Sequence, residues 1–298
     1  MRFGIDAEYS VRADSEGREL MRDNLMKKHP HIEGTLIARS ILSQKIEAYF
    51  IGSGKRYIAV LAAHHALESI STNFAFAFID YLLIRSVGGA VMGVDCKFLL
   101  SKYCFAVVPC VNPDGIDLRY NGVGSTPLSD RLARMSGGDF STWQANARGV
   151  DLNHNYDAGF LEYKKMEQEL GIMGGGPTRY SGEAPESEPE TRGVANFIRT
   201  LMPHAVVSLH TQGEEIYAYP STRRVIRCAA RLSEITGYRV REPAGTAAYG
   251  GLCDYTATLG IPSFTFELGR GVNPLSESTL GTIFPRVAVA IAFLPTLL

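Results

Sequence analysis

Four side chains in three separated segments have the types and spacing for metal-assisted hydrolysis. The run "LAAHHALESI" (61–70) closes an apolar stretch on His64 and His65 and places Glu68 three residues after the second histidine. A His-x-x-Glu spacing puts both side chains on one face of a helical turn. His210 closes a second apolar stretch, "HAVVSLH", and Glu267 closes a third, "PSFTFEL". Two histidines and a glutamate form a known catalytic zinc set that leaves a fourth position for water. A further carboxylate beside that position would act as general base. Each feature alone has a plain structural reading. HxxE recurs by chance, a strand-terminal histidine is commonly a hydrogen-bonded structural residue, and Glu267 could pair with Arg270. The coincidence of all of them at ends of apolar runs favours a site.

Positioning these groups requires strands that end together. "KIEAYFIG", the turn signal "SGKR" and "YIAVLAA" read as a hairpin. "YCFAVVPCV" suits a central strand buried on both faces. A helix is expected near 17–28, and another from about Leu67 to Ser86, where Phe74, Phe78 and Leu82 recur every fourth residue. Residues 114–187, rich in Gly, Asn, Asp and Ser, read as irregular chain, and long loops usually carry function. "SEPETRGVANFIRTLM" reads as a helix capped by Ser187. Strand "HAVVSLH", strand "EIYAYP", a helix over 221–236, strand "PSFTFEL" and a final helix from about 276 complete the chain. Alternating strands and helices predict an α/β fold, a three-layer sandwich around a mixed, mostly parallel sheet. In such sheets sites gather at the carboxyl ends of strands, which brings His64, His65 and His210 to one edge. No linker, repeat or low-complexity tract interrupts 1–298, so one domain is expected, with 1–33 a polar N-terminal arm.

Composition narrows the classes. A formal net charge of -1 gives no basic field for nucleic acid or anionic lipid. The 5 cysteines are scattered without a CxxC pair, which argues for reduced, buried thiols. The N-terminus lacks the apolar core of a signal peptide, so a cytoplasmic location is the expectation, with delivery to the cell wall by further parts the alternative. No apolar run reaches the ~18 residues of a membrane span, and "VAVAIAFLPTLL" reads as a docked core helix. No G-x-S-x-G elbow supports a serine hydrolase.

Five ordered segments, "HALE", "NPDG", "GVDLNHNYDAGF", "SLHTQGEEIY" and "SFTFELG", resemble the zinc carboxypeptidases of the carboxypeptidase A type from about residue 34 onward. The resemblance implies one Zn²⁺ per chain on His65, Glu68 and His210, with His64 facing the other side of its strand. It also implies Glu267 as general base, Asp151 orienting His65, and Asn153 near the substrate carboxylate. His154 stands where that family carries an arginine that clamps a C-terminal carboxylate, and imidazole does not replace that planar fork. Arg148, ahead of Arg134, is the expected oxyanion donor, and Tyr249 the expected counterpart of the family's mobile tyrosine. "WQANARGVDLNHNY", "HTQGEEIY" and "ELGRGVNPL" are similar to the bacterial γ-D-glutamyl-L-diamino acid peptidases. That branch implies small acidic peptides of peptidoglycan as substrates, with Arg270 holding a substrate carboxylate and no nucleic-acid or membrane partner. The alternatives are a general metallocarboxypeptidase, an amidohydrolase of N-acyl amino acids, and a catalytically silent binding protein on the same scaffold.

Overall fold

The computed structural model describes residues 7–124, 126–242 and 248–298. Its strands are β1 (Gly34–Arg39), β2 (Lys45–Ile51), β3 (Arg56–Ala62), a small pair β4 (Ala90–Val91) and β5 (Val94–Asp95), β6 (Tyr103–Val108), β7 (Ala205–His210), β8 (Glu215–Tyr219), β9 (Arg239–Arg241) and β10 (Ser263–Glu267). Eight of them form one sheet in the order β1-β2-β6-β3-β7-β10-β8-β9. The pairs β6–β3, β3–β7, β7–β10 and β8–β9 run parallel, and β1–β2, β2–β6 and β10–β8 antiparallel. The sheet is therefore mixed with a parallel centre.

Strand alternation builds the layers. On β3, Ile58, Val60 and Ala62 enter the larger core, whereas Ala59 and Leu61 enter the core on the opposite face. Residues of helices Ser15–Lys28, Ile70–Ser86, Arg223–Thr236 and Leu280–Phe293 fill the first core. Helices Pro189–Leu201 and Leu252–Thr258 contribute to the second. Phe74, Phe78 and Leu82 are fully buried, and so is every residue from Ile70 to Leu82, because that helix is covered on all sides. Each such aromatic contributes roughly 2–3 kcal/mol of transfer free energy. Segment Glu277–Thr296 is apolar and long enough to cross a membrane by length and composition. Here Ile283, Phe284, Val287 and Ile291 within it are core residues. All five cysteines are free and buried.

Four expectations need correction. The "SGKR" segment is not a hairpin turn, because β6 lies between β2 and β3. The connection crosses the start of β6, with Ser53 and Gly54 donating backbone hydrogen bonds to the Leu100 carbonyl (2.8 and 3.2 Å). A Cβ on Gly54 would stand 2.0 Å from the Lys102 carbonyl carbon, so only glycine passes there. Residues 114–187 are not all irregular: they hold most of helix Pro113–Asn121 and all of Ser129–Ser136 and Phe160–Glu169. The N-terminal arm is not polar throughout, since Tyr9, Met21 and Leu25 are core residues, and Tyr9, Lys28 and His29 all reach the buried Asp80 carboxylate.

The helix over 189–201 is not capped by Ser187. Glu188 occupies the cap position without a side-chain cap bond, and the Ser187 hydroxyl donates to the Glu188 carboxylate (3.0 Å). Next to it, Glu190 is fully buried and accepts from the Ile41 amide (3.1 Å). Burial pushes its carboxyl up to about 7, against the lowering effect of those backbone donors. The folded state therefore prefers protonated Glu190, a stability contribution present at acid pH and lost as pH rises from the ordinary carboxylate range through about 7. Glu190→Gln is expected to raise stability by up to about 3 kcal/mol at pH 8 and by almost nothing at pH 4.5. Urea midpoints at the two pH values test it, and an equal gain at both would show that ionisation is not the cause.

Candidate metal centre and active-site cleft

Three adjacent parallel strands deliver the chemistry to one edge. Ala62 pairs with Leu209, and Glu267 pairs with His210, so the ends of β3, β7 and β10 stand side by side. After β3, Ala63 adopts φ 58° and turns the chain into the histidine pair. Glu68 closes a short 3-10 turn, Ala66–Glu68, ahead of helix Ile70–Ser86. The "NPDG" segment braces this turn: Asn112 caps its own helix by accepting from the Gly115 amide (3.0 Å) and donates to the His64 carbonyl (3.0 Å). A Cβ on Gly115 would lie 2.3 Å from the Ala145 carbonyl oxygen, which explains the glycine.

His65, Glu68 and His210 each present a ligand atom, and these atoms lie within 4.8 Å of one another. The Nδ1 atoms of His65 and His210 approach the two oxygens of Glu68 at 3.0 and 2.9 Å. His65 Nε2 faces away from this cluster and meets Asp151 Oδ1 at 3.1 Å. That contact fixes the imidazole so that Nδ1 is the free ligand atom, the usual partnership behind a metal-bound histidine. The donor set of two imidazoles and one carboxylate, all directed inward, fits Zn²⁺. Burial alone would raise the Glu68 carboxyl, but the two imidazoles bring it down to about 2. Asp151 is held well below the usual carboxylate range: burial acts upward, while His65, then His154, act downward more strongly. His64 is not among the residues that line the cleft with His65. Its ring stacks along His210 at 5.7 Å, and its Nε2 meets the Tyr156 hydroxyl at 2.8 Å.

The triad opens into a cleft of about 310 Å³ that also takes in Glu267, Asn153 and His154. Glu267 is half-buried at the end of β10, and burial followed by the nearby Glu68 charge pushes its carboxyl well above the ordinary value. Asn153 Oδ1 accepts from the Leu252 amide (3.2 Å). His154 lies flat on Tyr163, with ring centroids 3.9 Å apart, and its Nδ1 meets the Tyr249 carbonyl at 2.9 Å. Burial lowers the His154 pKa, with Asp151 and the Tyr249 carbonyl acting in the opposite direction.

Three expected residues are not brought into the cleft. The Arg148 guanidinium is half-exposed and lies 3.8 Å from Glu188, because Asn146 Oδ1 accepts from both the Arg148 and Val150 amides and turns the chain there. Arg270 is exposed and paired with Glu214 at 2.7 Å, which also removes it as a partner for Glu267. The Tyr249 ring packs over Gly159, where a Cβ would come within 2.8 Å of it, and Tyr217 and Tyr219 line the cleft instead. Among the described lining residues, Arg179 is the one arginine. Its amide donates to Asp151 Oδ2 (3.1 Å), and its guanidinium has no partner among the described residues. Gln144 also lines the cleft; its Oε1 accepts from the Thr178 hydroxyl (3.1 Å), and its side-chain N–H groups have no partner among the described residues. Asp254 also lines the cleft. Sequence reasoning missed all three; the signals were the long polar loop that holds Arg179 and the "WQANARG" and "GGLCDY" segments that hold the others.

A mixed α/β sheet with a His-Glu-His cluster at its carboxyl edge and a further carboxylate beside it defines a metallopeptidase. The chain matches the zinc carboxypeptidase family over residues 19–283 and belongs to it. It is 34% identical over 272 residues to gamma-D-glutamyl-L-diamino acid endopeptidase 1 of Lysinibacillus sphaericus, a match that covers 87% of this chain and 66% of that protein. Among solved structures it superposes on bovine thrombin-activatable fibrinolysis inhibitor with a TM-score of 0.73 at 23% identity, covering 97% of each chain. It also superposes on the murein-tripeptide amidase MpaA of Escherichia coli O157 with a TM-score of 0.55 at 20% identity, covering 88% of this chain and 91% of that one. These structural likenesses concern the fold.

Proposed function

We infer that this metallopeptidase hydrolyses the amide between a γ-linked D-glutamate and a diamino acid in small acidic peptides. The reading is carried by the charge pattern of the cleft, where Arg179 is the one arginine among the described lining residues and the clamp position holds a neutral imidazole. A γ-linked glutamate keeps its α-carboxylate free, and Arg179 offers it a charge-assisted partner. The Lysinibacillus relative, named for this bond, supports the same reading.

Zn²⁺, when bound by His65, Glu68 and His210, supplies the Lewis acidity that acidifies water and polarises a carbonyl. Glu267 takes a proton from the attacking water as its oxygen adds to the scissile carbonyl carbon. The same carboxyl returns that proton to the leaving amine as the C–N bond breaks. The free N–H of Gln144 donates to the oxygen on which charge develops, in the role expected of Arg148. Asp151 holds His65 in place throughout.

The test compares L-Ala-γ-D-Glu-diaminopimelate with the blocked dipeptide hippuryl-Phe. The acidic peptide should be cleaved at least ~10-fold more efficiently, and faster release of Phe would make the enzyme a general carboxypeptidase. Arg179→Ala should raise KM for the γ-glutamyl peptide roughly 10–100-fold, the size of a lost charge-assisted hydrogen bond, with kcat little changed. An unchanged KM would remove Arg179 from substrate binding.

A further inference from the structure

The cleft contains a second recognition element whose polarity is opposite to that of Arg179. His154 is fixed by its stack on Tyr163 and by the 2.9 Å contact from Nδ1 to the Tyr249 carbonyl. A carbonyl oxygen only accepts, so Nδ1 carries the hydrogen, and in the neutral ring Nε2 is left as a bare acceptor. Nε2 has no partner among the described residues, and the residue lines the cleft. Turning the ring over would keep the stack on Tyr163 but lose the Nδ1 hydrogen bond to the Tyr249 carbonyl and bring a C–H to the place of Nε2, so it offers no N–H donor there. Asp254, also on the cleft wall, accepts from the Gly251 amide through Oδ2 (3.1 Å), and its Oδ1 has no partner among the described residues. The His154 backbone and the Asp254 side chain flank the Gly250–Gly251 step: a Cβ on Gly250 would lie 2.8 Å from the His154 carbonyl oxygen, and one on Gly251 3.2 Å from Asp254 Oδ2.

We propose that His154 Nε2 and Asp254 Oδ1 form an acceptor pole that binds N–H donors of the substrate residue on the leaving-amine side and disfavours a free carboxylate there. This rests on the γ-glutamyl reading and narrows it. A carboxylate against His154 sets acceptor against acceptor beside the Asp254 charge. An amide N–H or an ammonium satisfies the same atoms. The site is therefore built for a diamino acid whose carboxyl end continues as an amide, which is an endopeptidase preference. The two possible donors are the amide of the continuing chain and the side-chain ammonium, and they are separable by substrate.

Three peptides separate them with the zinc-loaded, full-length enzyme: L-Ala-γ-D-Glu-L-Lys-amide, the same peptide with a free carboxylate, and the norleucine amide. The wild-type kcat/KM should be at least tenfold higher for the lysine amide than for the lysine acid, and higher than for the norleucine amide. His154→Arg should invert the amide-to-acid ratio, whereas His154→Phe, which keeps the stack on Tyr163, should bring it toward one. Asp254→Asn keeps an acceptor for the Gly251 amide and should cut the lysine-to-norleucine ratio at least fivefold. Equal cleavage of amide and acid by the wild type, or ratios unmoved by all three substitutions, overturns the acceptor pole while the γ-glutamyl assignment stands. Movement of only one ratio assigns the pole to that donor and removes the other residue from it. Failure of the wild type to cleave any of the three overturns the function and this inference together.

Discussion

Glu267→Gln should leave the fold and the metal content intact and lower turnover at least ~10²-fold. The residue ends β10, beyond Phe264 and Phe266, which are buried on the sheet and carry the packing of that strand. Glutamine has nearly the same shape and can keep a hydrogen bond at the position, so the packing has no reason to change. What it lacks is a basic oxygen. Without one, the attacking water keeps its proton and the leaving amine receives none, so both halves of the reaction slow. The structural alternative for Glu267 was an ion pair with Arg270, but that guanidinium is bound to Glu214. Burial and then Glu68 raise the Glu267 pKa, with His65 acting in the opposite direction, and a half-buried carboxylate without a salt bridge among the described residues is costly unless it is used. Turnover measured beside zinc content by elemental analysis decides the matter. A Glu267→Gln enzyme with more than a tenth of wild-type turnover and full zinc would return Glu267 to a structural role.

The parts of the fold that were legible in the sequence are those where local pattern and tertiary environment agree. Continuous apolar runs at 103–108 and 205–210 became central strands because burial on both faces demands such runs. The metal ligands were legible for the same reason, since polar ligand side chains closing apolar runs stand out. The insertion of β6 between β2 and β3 was not legible: a Gly-containing turn signal reads alike whether the next strand pairs at once or crosses over. β9 is short and exposed at every residue, so it has no alternation to detect. Arg148 and Arg270 illustrate a different limit. A long side chain a few residues from a functional group can point either way, and here a turn at Asn146 and a nearby Glu214 decide its direction. Arg179, Gln144 and Asp254 reach the cleft from loops or helix starts whose placement is set by non-local contacts such as the Arg179 amide on Asp151.

Removing the imidazoles of His65 and His210 together should abolish zinc binding and reduce hydrolysis to background. The three ligands act as one unit. Glu68 sits between the two rings, 3.0 and 2.9 Å from them, and a single carboxylate cannot hold Zn²⁺ at ordinary free concentrations. Wild-type protein should carry about one zinc per chain, lose it to a chelator, and show a thermal midpoint that rises with added zinc, because metal that binds only the folded state stabilises it by mass action. The double alanine variant should show none of these responses. Asp151→Asn is the graded version of the same experiment. It preserves the side-chain shape and the hydrogen bond from the Asn153 amide (3.2 Å) but removes the charge that orients His65 at 3.1 Å. Its zinc affinity should fall roughly 10–100-fold, with activity restored in part at high zinc. Stoichiometric zinc surviving in the double variant would place the metal elsewhere, and an Asp151→Asn enzyme with unchanged affinity would mean that a neutral hydrogen-bond acceptor, without the Asp151 charge, is enough to orient His65.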